Sequence, residues 1–211
     1  MQNKVNVIVG LGKTGLSCLK FFVLNNLPCV VCDTRQNPPG LLEVKQNYPQ
    51  VEIHLGPFQP EQFVQAKALV VSPGVSVKEP AIQAALKKGV EVIGDIELFA
   101  RHFSKKIVGI TGANGKTTVT TLMGEMAKAS GKHAFIGGNI GVEALSLLNI
   151  PDMELAILEL SSFQLETTHH LPLEVATILN VTPDHLDRYD SLDDYIEAKR
   201  RIYRQAKHIV Y

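Results

Sequence analysis

The sequence carries no excess charge of either sign: 21 Lys and Arg stand against 21 Asp and Glu. A basic surface for nucleic acid or an anionic membrane therefore has no compositional support. No apolar run approaches the ~20 residues that a membrane span needs, and the opening MQNKVNVIVGLGKTG lacks the layout of a secretory signal. A cytoplasmic, monomeric protein without nucleic-acid or membrane partners is expected. Cysteine is scarce. Cys29 and Cys32 spell CxxC, but in the strand-like run PCVVCD residues three apart face opposite sides of a sheet. No second pair exists to complete a zinc site, and Cys18 makes the count odd, so core cysteines are expected. Repeats and low-complexity tracts are absent too. What remains is globular, 45% hydrophobic and 20% charged over 211 residues, enough for one large domain or two small ones.

The most informative stretch is Ile107–Thr118, IVGITGANGKTT. Ile107, Val108 and Ile110 predict a buried strand, which breaks into a small polar loop from Thr111 to Gly115. Lys116, Thr117 and Thr118 then open a helix whose pattern runs through Leu122, Met123, Met126 and Ala127 to a stop at Gly131. Strand, glycine loop, Lys-Thr and helix describe a phosphate cradle: backbone N–H groups turn inward and the helix N-terminus adds partial positive charge. Lys116 can reach terminal phosphates, and the Thr117 hydroxyl can bind magnesium. The general pattern wants a glycine five places before Gly115, where this chain has Ile110; Gly109 is one place too early.

The first half carries a second phosphate motif. Val5–Val9 reads as a strand entering Gly10-Leu11-Gly12-Lys13-Thr14-Gly15, with a helix after it and Asp33 ending the next strand. GxGxxG between strand and helix, with an acid 18 residues beyond Gly15, suits a nucleotide diphosphate and a ribose or base. Ala68–Val71 ends in the loop Ser72-Pro73-Gly74-Val75, which is either a ligand loop or plain turn chemistry. Alternating strands and helices up to Ile93 predict a doubly wound parallel sheet, with a boundary near residue 94.

The second unit continues with a strand at Ala134–Ile136 and a loop from Gly137 to Gly141. The apolar strand Leu155–Leu158 delivers Glu159, a candidate magnesium ligand opposite the loop hydroxyl. Val175–Leu179 leads into Asn180 and the loop Thr182–Asp187, where His185 could be a metal ligand. His169 and His170 read as an exposed helix end. Ser191 predicts an N-cap for a helix to about Ala206. Lys199 interrupts the apolar stripe of that helix. It could snorkel, form a buried ion pair, or lose its proton on burial and add carbon dioxide as a carbamate. The chain stops at His208–Tyr211 in what reads as the start of another strand, as a piece of a longer protein would.

TGANGKTT, GGNIG, LELSSFQLE, NVTPDHLDRY and EAKRRIY, in that order, resemble the Mur ligases, ATP-dependent amide-forming enzymes of peptidoglycan precursor synthesis. GLGKTGLS, CDTR, SPGV and GDIELF extend the resemblance across the amino-terminal half, towards the branch that joins D-glutamate to UDP-N-acetylmuramoyl-L-alanine. Ile110 is then ordinary, since the loop of this family is TGxxGK[ST]. The resemblance implies two doubly wound α/β units: a Rossmann-like UDP-binding domain over 1–94, and the first part of a P-loop ATPase domain over 95–211. A third domain and the end of the central one would be missing. It also implies ATP and two magnesium ions. Gly112, Asn114, Gly115, Lys116, Thr117 and Thr118 would bind ATP, and Lys116, His185 and Lys199 would be catalytic. Thr117, Glu159, His185 and a carbamylated Lys199 would hold metal. Gly12, Lys13, Thr14, Asp33, Thr34, Arg35, Ser72 and Gly74 would contact the uridine nucleotide, and Asn139 and Gln164 the muramoyl part. The rival readings are a nicotinamide-dependent dehydrogenase, resting on GLGKTG and Asp33, and a nucleotide-binding module without turnover.

Overall fold

The computed structural model describes residues 4–184 and 187–211, which form two compact units, Met1–Asp95 and Ile96–Tyr211. In the first, five parallel strands lie in the order β3-β2-β1-β4-β5. They are β1 (Asn6–Val9), β2 (Cys29–Asp33), β3 (Ile53–Leu55), β4 (Ala68–Val71) and β5 (Glu91–Ile93). Helices α1 (Lys13–Leu24), α2 (Leu41–Asn47), α3 (Pro60–Val64) and α4 (Pro80–Lys87) connect them. β1 and β4 are wholly buried, as central parallel strands covered on both faces must be. Val7, Val9, Val30, Leu69, Phe63 and Ile82 form the core of this unit. The chain leaves β1 towards β2 and returns on the other side at β4, so the loops after β1 and β4 flank the point where the winding reverses.

The cysteines are free and belong to this packing. Burial pushes the Cys29 thiol up to about 11 and that of Cys32 to about 12, which leaves neither a reactive thiolate at neutral pH.

Helix α5 (Asp95–His102) precedes a second parallel sheet, in the order β10-β9-β6-β8-β7. Its strands are β6 (Lys106–Thr111), β7 (Ala134–Gly138), β8 (Leu155–Glu159), β9 (Val175–Ile178) and β10 (His208–Val210). α6 (Lys116–Ala129), α7 (Ala144–Leu147), α8 (Ser162–Glu166) and α9 (Leu192–Arg200) complete the unit. β6 is central, between β8 and β9, so its carboxyl end meets the ends of both neighbours. Among the described residues no helix is long and apolar enough to cross a membrane.

Three expectations are corrected. On α6, Leu122 and Met126 are 58% and 60% exposed, while Thr120, Gly124 and Ala127 are buried. The helix comes close to β7 at Gly124, where a Cβ would stand 2.5 Å from Ile136 Cδ1, while Val119 and Met123 pack on the core beside it. β7 runs through Gly137 and Gly138 instead of ending at Ile136, because Gly138 still pairs with Glu159. The last long helix ends at Arg200, short of Ala206, and tightens into a 3-10 turn over Arg201–Tyr203. That turn buries Ile202 and sets the Tyr203 hydroxyl to accept from the Ile178 N–H at 3.0 Å.

Candidate functional site

In the second unit, β6 feeds Gly112-Ala113-Asn114-Gly115 into α6. Gly115 occupies the N-cap with φ +80°, a conformation that suits glycine, and no side chain caps the helix. The first-turn N–H groups have no intrahelical acceptors by geometry, so the α6 end is suited to an anion. α8 and α9 differ: Ser161 and Gln164 form a reciprocal capping box, and Ser191 accepts from the Asp194 N–H as its spacing predicts. Thr111 ties the loop to β8, its hydroxyl donating to the Leu160 carbonyl at 2.7 Å.

Ladder register sets Ile110 beside Glu159 at the ends of β6 and β8. The consequence is direct: Thr117 Oγ1 donates to Glu159 Oε2 at 2.9 Å. Asn139 steadies the same carboxylate, its Nδ2 donating to Oε1 at 2.8 Å and its backbone N–H to the Glu159 carbonyl at 2.8 Å. Asn139 is therefore engaged with the carboxylate, and the Gln164 side-chain oxygen with Ser161. Thr118 is exposed on the first turn. Among the described residues no group of three or more His, Cys, Asp or Glu could hold a metal. A hydroxyl and a carboxylate side by side nonetheless supply hard oxygen donors, which suit magnesium when phosphate oxygens and water fill the remaining positions. His185 lies outside the described residues.

Two lysines converge on the loop. Lys116 Nζ donates to the carbonyls of Gly112 and Ala113, both at 2.9 Å, and Lys199 Nζ also donates to Gly112 O at 2.9 Å. Lys199 is 2% exposed, which rules out snorkelling, and its ammonium lies 4.5 Å from the Tyr195 ring centroid. Burial, reinforced by the Lys116 ammonium and opposed by Asp184, pulls its pKa down to about 8.

The first unit builds its turn differently. α1 starts at Lys13, with Gly12 as N-cap; Lys13 is exposed and Thr14 half-buried. Asp33, at the end of β2, is buried and braces this turn: its Oδ2 accepts from the Leu11 N–H at 2.6 Å. It also accepts from the Arg35 backbone N–H at 2.9 Å and from the Arg35 guanidinium at 2.9 and 2.7 Å. Burial alone would raise the Asp33 pKa, but these bonds from Arg35 and Leu11 hold it below the usual carboxylate value. From the end of β4, Ser72 Oγ donates to the Gly10 carbonyl at 3.0 Å. Thr34, Arg35 and Gly74 are exposed on the loops that follow β2 and β4.

Two residues escaped the sequence reading. Glu97, in GDIELF, is 1% exposed; its Oε2 accepts from the backbone N–H groups of His169 and His170, both at 2.7 Å, and its Oε1 from Arg101. The available signal was an acid set between the apolar residues Ile96 and Leu98-Phe99-Ala100. Asn180 grips the glycine loop at Asn114, and only its position at a strand's end hinted at that.

A parallel sheet whose central strand delivers a glycine loop, a lysine and a threonine towards a carboxylate on the neighbouring strand defines a P-loop domain of the nucleotide-binding class. Comparison with known proteins narrows the class. Residues 4–94 match the family model described as Mur ligase MurD-like, N-terminal domain, and residues 110–210 match that of the Mur ligase middle domain. The chain belongs to the Mur ligase family, not to the dehydrogenases. It is 57% identical over 206 residues to UDP-N-acetylmuramoylalanine--D-glutamate ligase of Haemophilus influenzae, covering 98% of this chain and 46% of that protein. The corresponding ligase of Pseudomonas aeruginosa is 52% identical, with 97% and 45% covered. The chain thus spans about half the length of these relatives. Among solved structures it resembles UDP-N-acetylmuramate-alanine ligase of Thermotoga maritima, with a TM-score of 0.55, 20% identity, and 97% and 48% of the two chains covered. UDP-N-acetylmuramate:L-alanyl-gamma-D-glutamyl-meso-diaminopimelate ligase of Neisseria meningitides gives a TM-score of 0.60 at 16% identity, with 96% and 68% covered. Those two likenesses concern the fold alone.

Proposed function

We propose that this chain carries the uridine-nucleotide site and the phosphate loop of a cytoplasmic, monomeric, ATP-dependent ligase of peptidoglycan precursor synthesis. Its substrates are UDP-N-acetylmuramoyl-L-alanine and D-glutamate. The observation that carries this reading is the Thr117–Glu159 pair beside Lys116, at 2.9 Å, in a chain 57% identical to a ligase of that name. The substrate carboxylate attacks the γ-phosphorus of ATP, ADP leaves, and an acyl phosphate forms. The D-glutamate amine then adds to the acyl carbon, loses a proton, and inorganic phosphate departs with the C–O bond electrons. A free carboxylate is a poor acyl donor, whereas phosphate is a good leaving group.

The residues divide this work. The Gly115–Thr118 amides hold the phosphates, and Lys116 exchanges its loop carbonyls for phosphate oxygens. Thr117 and Glu159 would hold magnesium, with Asn139 orienting the carboxylate. The ion supplies positive charge that lets two anions approach. His185 and Lys199 are assigned to a second magnesium ion. In the first unit, the turn at Gly12, Lys13 and Thr14 receives the UDP pyrophosphate, and Asp33, Thr34, Arg35, Ser72 and Gly74, at the ends of β2 and β4 and on the loops after them, receive the uridine.

Calorimetric titration tests the uridine assignment. UDP and UDP-N-acetylmuramoyl-L-alanine are expected to bind saturably and NAD to give no heat. Saturable NAD binding without UDP binding would overturn the reading.

Lys199 is assigned as the site of a carbamate. Burial lowers its pKa from the ordinary 10.5 to about 8, so more of the amine is neutral near pH 7 than for an exposed lysine. The neutral amine adds to carbon dioxide and releases one proton. The resulting carbamate keeps one N–H for the Gly112 carbonyl and places its negative charge near the Lys116 ammonium. Carbon NMR of the chain equilibrated with labelled bicarbonate should give one carbamate signal, absent from Lys199→Met. A wild-type spectrum without that signal overturns the assignment.

A further inference from the structure

We propose that Asn180 is a positioning residue of the phosphate loop, dividing it into a half held by the fold and a half presented to nucleotide. The proposal rests on the nucleotide-binding reading of that loop.

The ladder between β6 and β9 does not stop where the strands end. Leu179 donates its N–H to Thr111 O at 2.9 Å, and the Ala113 N–H donates to Asn180 O at 3.0 Å. The Asn180 side chain then extends the pattern by one residue. Its Oδ1 accepts from the Asn114 N–H at 2.9 Å, and its Nδ2 donates to Asn114 O at 2.9 Å. An amide side chain pairing in both directions with one backbone residue acts as a short extra strand. Asn114 Nδ2 reaches Thr182 Oγ1 at 3.4 Å, a longer third link to the same segment.

Two consequences follow for the loop. The N–H groups of Ala113 and Asn114 are spent on Asn180 and so are turned away from a bound phosphate. The donors left to the ligand are Gly115, Lys116, Thr117 and Thr118, at the uncapped end of α6. The loop is also pre-shaped. Gly112 and Gly115 give it broad conformational freedom, and an unclamped loop would have to be ordered by the nucleotide at the expense of affinity. Asn180 and Asn114 are both exposed, so the paired amide adds little to the stability of the sheet. Its effect falls on the loop's shape.

The test is Asn180→Ala in the 211-residue chain. Mg·ATP affinity is expected to fall about tenfold, with UDP affinity and the thermal midpoint unchanged. Hydrogen exchange of the wild-type chain gives a reading that does not depend on the variant folding. The Asn114 amide should be protected before nucleotide is added, and Mg·ATP should shift the Lys116–Thr118 amide resonances while leaving the Ala113 and Asn114 amides protected. Equal Mg·ATP affinities for wild type and Asn180→Ala, or an unprotected Asn114 amide, would overturn the role of Asn180. Wild-type chain that fails to bind Mg·ATP at all would instead overturn the nucleotide reading, a different and recognisable result.

Discussion

Lys116→Ala is expected to weaken Mg·ATP binding by about 100-fold or more while UDP binding stays as it is. Charge-assisted hydrogen bonds to phosphate are about twice as strong as neutral ones, and a lysine on terminal phosphates makes more than one. A loss of 100-fold corresponds to about 2.7 kcal/mol, within the reach of two such bonds. The free protein already holds the Lys116 ammonium at the loop, bonded to the Gly112 and Ala113 carbonyls. It therefore needs only a short displacement to meet a phosphate, and little ordering entropy opposes the contact. Removing the side chain leaves Gly112 O with Lys199 as a donor, so the loop is expected to keep its shape. Calorimetry with Mg·ATP and UDP on the same variant separates the two sites. Unchanged Mg·ATP affinity would mean that Lys116 does not touch nucleotide.

Gly15→Ala should be the most damaging single change in the first unit. A Cβ at this position would stand 1.8 Å from the Gly10 carbonyl oxygen and 2.9 Å from its carbon. Both are backbone atoms of the turn, so no rotamer change relieves the clash. Real Cβ atoms essentially never approach within 3.0 Å, so α1 would have to lift by more than an ångström. Cys18, Leu19, Phe21 and Phe22 are buried on that helix and would lose their packing together. Overpacked cores cost about 1–3 kcal/mol, and this backbone collision belongs at or above the upper end. The expected result is a lowered thermal midpoint and no measurable UDP binding, with Mg·ATP binding retained. A variant that unfolds at the wild-type temperature and binds UDP normally would contradict the close packing.

Much of this was legible in the residues because local rules and tertiary structure agree. The apolar runs at Val5–Val9, Ala68–Val71 and Leu155–Leu158 became inner strands of their sheets, and the glycine punctuation placed both glycine turns at strand ends. Ser191 capped α9 as its spacing predicts, since a cap is decided within one helical turn. Where the two levels conflict, the sequence misled. α6 turned Leu122 and Met126 outward because its inner face runs through Thr120, Gly124 and Ala127, and the close approach of Gly124 to Ile136 is not reported by any periodicity along α6.

The roles of single polar side chains divide along the same line. By itself the sequence determined that a lysine, a threonine and a glycine loop open one helix, that a glycine turn opens another, and that Glu159 ends an apolar strand. Those are properties of neighbours along the chain. Only the tertiary structure decided that Thr117 meets Glu159, 42 residues away, that Asn180 meets Asn114 across 66, and that Lys199 meets Gly112 across 87. Strand order and register bring those partners together, and register is set by burial over whole strands, not by the few residues at their ends. The apolar stripe of α9 left Lys199 with three possible fates. Burial behind the loop, with the Gly112 carbonyl and the Tyr195 ring as its partners, removed the first of them, snorkelling.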